Sequence, residues 1–467
     1  MPFFLHPSRF ALAALPLLLA ACATSTDYRA PEIALPASFQ HAGTQPTATE
    51  IQPDWWAVYA DAELDRLLRR VGEANAELAQ AEARWRQALA QVDAARALAL
   101  PQVGVGASAT RSGGNAAAGA NAGTRRLYAA GADLSWSPDL WGRVALSRQA
   151  ATAGAQAQAA LVDAARLALQ LAAAQGYVRL RALDAQLALQ AQADVAYARS
   201  LQVTQLQYEA GLVARADVIQ AETQLQSLRT QVFTLQRQRA LEANALALLA
   251  GSTPGDYPMA ARDGGLPVVP AIPGALPGEL LRRRPDLAAA ERALAAAHAR
   301  LGVAQRAWLP DLTLSASGTL QASSWSRLLD APARVWSLGP QLAATLFDGG
   351  TRRADEATFL AAYDEQAAAW RGGVLSAVRE TEDALVQLAT LAEQDRQQQQ
   401  LVTLASENER VVGYRYEAGE ISFLEVATAQ NLALSARRAA LDVQAERLAA
   451  SMALVAALGG GWPATAR

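Results

Sequence analysis

The chain contains no lysine, a single cysteine, three histidines and few aromatic residues, which fill 6% of its 467 positions. With lysine absent, all 41 basic residues are arginine, interspersed with 44 acidic residues for a net charge of -3. No basic tract remains to grip nucleic acid. The lone cysteine, Cys22, rules out an internal disulfide. The histidines lie apart: His6 in the leader, His41 in a low-complexity start, and His298 on an alanine-rich helix with a surface or collar setting. They form neither a metal-ligand cluster nor a triad, so the chain is expected to be no enzyme and to hold no cofactor or metal. Hydrophobic residues reach 52%, yet alanine supplies much of that share. Such a composition suits close helix-to-helix contact better than a deep aromatic core.

The first residues have the order of a secretory leader over positions 1–21. Arg9 precedes an apolar run from Phe10 to Ala20, and Leu19-Ala20-Ala21-Cys22 closes it. A run of about eleven residues is roughly half of what a helix needs to span a bilayer. The closing tetrapeptide resembles a bacterial lipobox, in which the cysteine thiol is acylated and becomes the new N-terminus. Ala23 follows in place of aspartate, which by the same resemblance favours sorting to the outer membrane. Acyl chains on Cys22 are the only covalent group expected, each buried methylene adding about 0.8 kcal/mol of anchoring.

The chain is written twice, at a spacing of about 208 residues. Tyr208-Glu209-Ala210-Gly211 recurs as Tyr416-Glu417-Ala418-Gly419, and the register continues through Arg229 and Arg437 to Gly251 and Gly459. Upstream, Pro101-Gln102-Val103 answers Pro310-Asp311-Leu312, and Gly142 answers Gly350. Each half reads helix, strand, loop, strand, long helix, turn, helix. The chain divides into an anchored segment (22–60), a first repeat (61–250), a Pro- and Gly-rich joint (251–278), a second repeat (279–458) and a short tail (459–467).

Residues 142–207 and 351–415 lack proline and are rich in helix formers. Some 65 helical residues reach nearly 100 Å, about three times a small domain's diameter. Gly154, Gly176, Gly372 and Gly373 leave open whether each is one helix or two coaxial ones. Four segments read as strands: Pro101 to Arg111, Tyr128 to Pro138, Pro310 to Leu320, and Arg334 to Phe347. In the first, Val103, Val105, Ala107 and Ala109 alternate with Gly104, Gly106, Ser108 and Thr110. Period two with one apolar and one small polar face is what a strand between lipid and water requires. Each is about ten residues, enough for a tilted strand to cross a bilayer. Tyr128, Trp136, Trp325 and Trp336 sit near strand ends, where an aromatic girdle or ordinary core packing would place them. The stretch Ser112 to Arg126, full of Gly, Asn and Ala, suits a surface loop.

Four strands cannot close a membrane barrel, whose smallest form has about eight, and an open edge in lipid leaves backbone groups unpaired. The chain must pool strands with copies of itself. Three copies give a barrel wide enough for a water-filled lumen, and helices about 100 Å long then make the assembly a conduit.

Residue-level motifs carry a family resemblance over the mature chain from about Asp54 to Trp462. Leu280-Leu281-Arg282-Arg283-Arg284-Pro285-Asp286-Leu287, Leu140-Trp141-Gly142-Arg143, Leu346-Phe347-Asp348-Gly349-Gly350 and Trp55-Trp56 resemble those of TolC-like outer membrane factors. The match is to the lipoprotein branch that serves resistance-nodulation-division (RND) efflux pumps. The resemblance implies a mainly α protein with a transmembrane portion: a homotrimer whose twelve-stranded β-barrel continues into a long periplasmic α-helical barrel. It implies location in the bacterial outer membrane, a periplasmic membrane-fusion adaptor and an inner-membrane transporter of RND type as partners, and passive exit of small toxic molecules.

The same resemblance assigns Asp217, Tyr416 and Glu425 to a periplasmic gate, with Tyr416 hydrogen-bonding toward Asp217 and Glu425 forming a threefold carboxylate ring. It assigns Gly211, Leu212, Val213, Gly419, Ile421 and Ser422 to adaptor-contacting tips. Ile421 stands where some members hold a locking arginine, a role left to Arg215 or Arg415, and Thr428 stands where some have a second acid. From the residues alone, Gly211 and Gly419 are also helix C-caps, and Asp217 and Glu425 favourable first-turn charges. Two other functions share much of this pattern: a lipid-tethered periplasmic coiled-coil scaffold or adaptor, which has no need of four strands, and the exit duct of a type I protein secretion system.

Overall fold

The computed structural model describes residues 28–41, 54–113, 124–262, 265–270, 283–330 and 334–460. The leader, Cys22, residues 280–282 of the arginine-rich motif and most of the first hairpin loop lie outside them. Helices α1 (Ala62–Ala74) and α2 (Ala76–Ala97) lead into β1 (Gln102–Ser112) and β2 (Arg125–Trp136). Then follow α3 (Arg143–Glu209) and α4 (Arg215–Leu249). The second half repeats the order with α5 (Pro285–Gln305), β3 (Asp311–Ala322), β4 (Arg334–Ala343), α6 (Thr351–Glu417) and α7 (Phe423–Ala457). The duplication read from the sequence is therefore structural: α3 and α6 have 67 residues each, and α4 and α7 have 35 each.

Both long helices are continuous, with a contour of about 100 Å. The glycines do not break them. A Cβ on Gly176 would lie 2.9 Å from the Glu242 and Leu246 side chains, so this glycine lets α4 approach closely. No helix among the described residues is long and apolar enough to cross a membrane.

The described chain forms two compact units, with α3 and α6 contributing to both. The first (residues 1–32, 84–158 and 289–370) holds a four-stranded antiparallel sheet in the order β1-β2-β3-β4. The central pairing joins the two repeats, Tyr128 facing Ala322 and Trp136 facing Leu314. Residues paired across an antiparallel ladder share a face, so the register assigns each paired residue to one of two faces, mainly apolar and mainly polar. One face carries Val103, Val105, Leu134, Leu312, Leu314, Trp336, Leu338 and Leu342; the other carries Ser108, Thr110, Asp133, Thr313, Ser315, Ser317 and Gln341. Among the described residues, the outer edges of β1 and β4 have no neighbouring strand.

Two strand limits differ from expectation by three residues or more, the others by at most two. β2 begins at Arg125 rather than Tyr128, because Leu127, Arg126 and Arg125 continue the ladder opposite Thr110, Arg111 and Ser112. The expected loop from Ser112 to Arg126 is shortened accordingly. β4 stops at Ala343 rather than Phe347, and there the Arg352 guanidinium takes the carbonyl of Thr345 at 2.6 Å. Tyr128 and Trp325 meet edge to face at 6.1 Å near one end of the sheet, while Trp136 at the other end donates to the carbonyl of Ala99. His298 is half-buried between the rings of Tyr28 and Tyr363, at 5.7 and 5.8 Å.

Each strand pair hands over to its long helix through an aspartate. Asp139 accepts from the amides of Val144 and Ala145, and Asp348 from those of Gly350 and Arg352, satisfying amides that the helix itself leaves unpaired. The Arg352 side chain at 2.6 Å and these amides pull the Asp348 carboxyl down to about 2.

The second unit (residues 33–83, 159–288 and 371–467) is tied by charged groups and by helix ends. Leu64, Leu67, Leu68 and Val71 form the buried stripe of α1 at helical spacing. Asp61 caps that helix and also accepts from Tyr177 and Arg262, each at 3.0 Å. Buried Arg181 pairs with Asp184 at 2.6 Å and Glu63 at 2.8 Å. After α4 the chain turns at Gly251 with φ of 68°, and a Cβ there would lie 2.1 Å from the Ala74 carbonyl oxygen.

Two predictions follow from these joints. Gly251→Ala should cost about 2–3 kcal/mol in denaturant unfolding, whereas Gly211→Ala, whose added carbon meets nothing within 4 Å, should cost about 1 kcal/mol. Because Asp348 titrates lower in the folded state than its unfolded value of about 3.9, it stabilises the fold above that value and ceases to as pH falls toward about 2. In thermal melts across that window, Asp348→Asn should lose part of the wild-type acid dependence.

Candidate functional site at the helical turns

The sequence-predicted site residues lie at the turns between α3 and α4 and between α6 and α7. Both turns have the same construction. The Gly211 amide donates to Tyr208 at 2.9 Å and the Leu212 amide to Gln207 at 2.8 Å. In the second repeat Gly419 donates to Tyr416 at 2.9 Å and Glu420 to Arg415 at 3.0 Å. This paired closure needs a left-handed residue, and φ is 77° and 76° at the two glycines. The turn hence holds a helix end against water with no bulky side chain.

The helices that follow begin differently. Ala214 has no capping side chain, and the Asp217 carboxylate reaches back to its amide at 3.1 Å. A carboxylate in a first turn also meets the positive end of the helix dipole. Glu425 occupies the matching first turn of α7 but is exposed, and among the described residues its carboxylate has no ion-pair or hydrogen-bond partner. The Thr428 hydroxyl bonds back to the carbonyl of Leu424 in its own helix.

Tyr416 departs from expectation. Its hydroxyl meets Thr204 Oγ1 at 2.8 Å rather than Asp217, whose carboxylate is engaged at Ala214. Since Thr204 gives its own proton to the Ser200 carbonyl, Tyr416 donates in this bond. The ring is buried beside Phe423, centroids 5.9 Å apart, within a cluster that includes Ala221, Val426 and Ala427. Burial pushes the phenol above its ordinary value, the Thr204 bond opposes that, and the negative charge of Asp217 adds to it. The phenol therefore stays neutral and remains a donor. Neither arginine offered as a substitute lock takes that place: Arg215 lies over the Tyr208 ring at 5.9 Å, and Arg415 pairs with Glu420 at 3.2 Å.

Further ties join the two repeats above this point, and no sequence motif marks them. Gln207 Nε2 donates to the Tyr416 carbonyl at 3.2 Å, Gln430 Nε2 to Ser200 Oγ at 2.8 Å, and the Tyr197 hydroxyl to Asn431 at 3.2 Å. Arg438 reaches Gln231 at 2.7 Å and also the fully buried Gln190. The available signal was Ser200 and Thr204 four residues apart on an otherwise coiled-coil-like helix, which placed both on one face. At the tips, Leu212 is 75% exposed, Gly211, Gly419 and Ser422 are exposed, and Val213 and Ile421 are half-buried.

With this geometry in view, residues 67–252 and 276–460 match the family described as outer membrane efflux protein, once for each repeat. Nodulation protein T of Rhizobium leguminosarum bv. viciae is 31% identical over 98% of this chain and 95% of its own length. Outer membrane protein OprJ of Pseudomonas aeruginosa is 31% identical over 96% and 94%. Among solved structures, the outer-membrane channel OprN superposes with a TM-score of 0.88 at 29% identity, covering 93% of this chain and 98% of that one.

A double-mutant cycle of Tyr416→Phe and Thr204→Val should return a coupling of about 0.5–1.5 kcal/mol in unfolding free energy. The corresponding cycle of Tyr416→Phe and Asp217→Asn should return a smaller value, because no direct bond joins that pair.

Proposed function

Because this chain belongs to the outer membrane efflux protein family and resides in the bacterial outer membrane, we propose that it acts as the passive exit duct of a tripartite pump, assembled as a homotrimer. The observation that carries this reading is the sheet: one apolar face, one polar face, and two edges without partners. Backbone groups at an edge find no water in hydrocarbon, so β1 of one copy must pair with β4 of the next. Three copies of four strands give twelve, with the polar face lining a wet lumen. A pore-free scaffold has no use for such a face.

Cys22 carries the acyl anchor in this reading, on the strength of its leader sequence. The turns form the periplasmic gate. Tyr416 holds the second repeat to the first through Thr204, Asp217 fixes the start of α4, and the unpaired Glu425 contributes one carboxylate per copy to a ring that favours cations. Exposed Leu212 with Gly211, Val213, Gly419, Ile421 and Ser422 offers small and apolar contacts to a periplasmic membrane-fusion adaptor, which connects the duct to an inner-membrane transporter of RND type. Small toxic molecules are the cargo. The duct catalyses nothing and needs no cofactor or metal; its work is to stay closed until the partners engage.

Single-channel conductance of the purified lipoprotein in planar bilayers tests the reading. Wild type should show a small cation-selective conductance, Glu425→Gln should lose selectivity, and Tyr416→Phe should conduct more by weakening the tie to Thr204. Steps unaffected by both substitutions would remove these residues from the gate while keeping the duct. Silence from a folded trimer even after truncation of both tips would sink the channel.

A further inference from the structure

The end of the sheet where the two hairpins turn has an unusual charge. Its strand ends and the connecting residues hold Arg111, Arg125, Arg126, Arg327 and Arg334 against one acid, Asp330. Three of these arginines, Arg111, Arg126 and Arg334, belong to the apolar face: Arg111 pairs in register with Arg126, and Arg334 with Leu320. All three are exposed, and among the described residues none makes an ion pair or a side-chain hydrogen bond.

Two like charges directly opposite each other on one face destabilise a strand pair. Among the described residues no carboxylate pairs with either guanidinium, and the large side chains near this end, Tyr128 and Trp325, are uncharged. An anion held between the two guanidiniums would turn this repulsion into attraction. Guanidinium forks fit phosphate oxygens two at a time, which is stronger and more directional than a point charge. Immediately beyond the pair, the same face continues through Ala109, Tyr128, Ala130 and Ala107, an apolar surface against which an acyl chain can lie.

We infer that Arg111 and Arg126, with Arg334 on the other edge strand, form a binding site for the phosphorylated headgroup of an outer-leaflet glycolipid whose acyl chains run along the apolar sheet face. The inference rests on the barrel reading above, because only there does the hairpin end reach the outer leaflet. β1 and β4 carry Arg111 and Arg334 at their hairpin ends, so joining the edges of successive copies returns both to the same rim. The lipid then contributes to seating the barrel at the correct depth.

The test is native mass spectrometry of the full-length trimer in detergent, titrated with bis-phosphorylated lipid A, dephosphorylated lipid A, phosphatidylglycerol and inorganic phosphate. Wild type should retain bis-phosphorylated lipid A about ten-fold more tightly than the dephosphorylated form, and Arg111→Gln/Arg126→Gln should lose about the same factor. A control removing two exposed arginines elsewhere, Arg84→Gln/Arg237→Gln, should change nothing. Equal retention of both lipid A forms, equal loss in the control, or equal affinity for phosphatidylglycerol overturns the site. Displacement of the lipid by equimolar inorganic phosphate overturns the lipid as its occupant. The wild-type comparison of the two lipid A forms decides the matter even if the double variant fails to assemble. Conductance measured on the same samples separates the two readings, since a wild type that neither trimerises nor conducts removes the barrel itself.

Discussion

A β-strand edge in hydrocarbon exposes amides and carbonyls that water can no longer satisfy, and this single requirement organises the protein. The sheet formed by β1 to β4 has matched lipid-like and water-like faces but leaves two edges unpaired. In the trimer proposed above it is one third of a barrel, completed by the two other copies. Duplication supplies the two hairpins, and the β2–β3 pairing welds them into one surface. The aspartates at residues 139 and 348 then help convert each ladder into a helix within a few residues, each taking two backbone amides near the start of the helix.

The helical parts obey a different economy. Their surfaces are rich in alanine and glutamine, and many of their buried residues are alanines, which pack closely but interlock little, so polar bonds and close approach help to fix position along the axis. Gly176 illustrates the second device, leaving room for Glu242 and Leu246 where a methyl group would collide. Tyr416, Gln430 and Arg438 illustrate the first, each carrying a hydrogen bond from one repeat to the other. Such bonds are directional and replaceable by water, which suits them to the gate proposed above. A large apolar seam would resist separation in every state.

The turns combine permanence with availability. A glycine in the left-handed region closes the helix through backbone bonds alone, leaving side chains such as Leu212 and Glu425 free of structural duty. Where the repeats diverge, the difference lies in those free groups: Asp217 is used at once to cap α4, whereas Glu425 is left unpaired on α7. Duplicated segments thus share a scaffold while their exposed chemistry separates.

The sequence by itself determined the duplication, the long helices, the four strands with their alternating faces, and the glycine turns. Each of these is a local pattern: a repeat offset, a period of two or of 3.6, or a residue tolerated at positive φ. The same local logic placed Gly211, Gly419, Asp217 and Glu425 at helix ends. Only the tertiary structure decided where β4 stops, since its partner β3 begins at Asp311, opposite Ala343, and offers no residue to pair beyond it. It alone decided that Tyr416 bonds to Thr204, 212 residues away, and not to Asp217. A hydroxyl has no sequence period that names its partner; it bonds to whichever polar atom packing brings within reach, and that packing belongs to the whole fold.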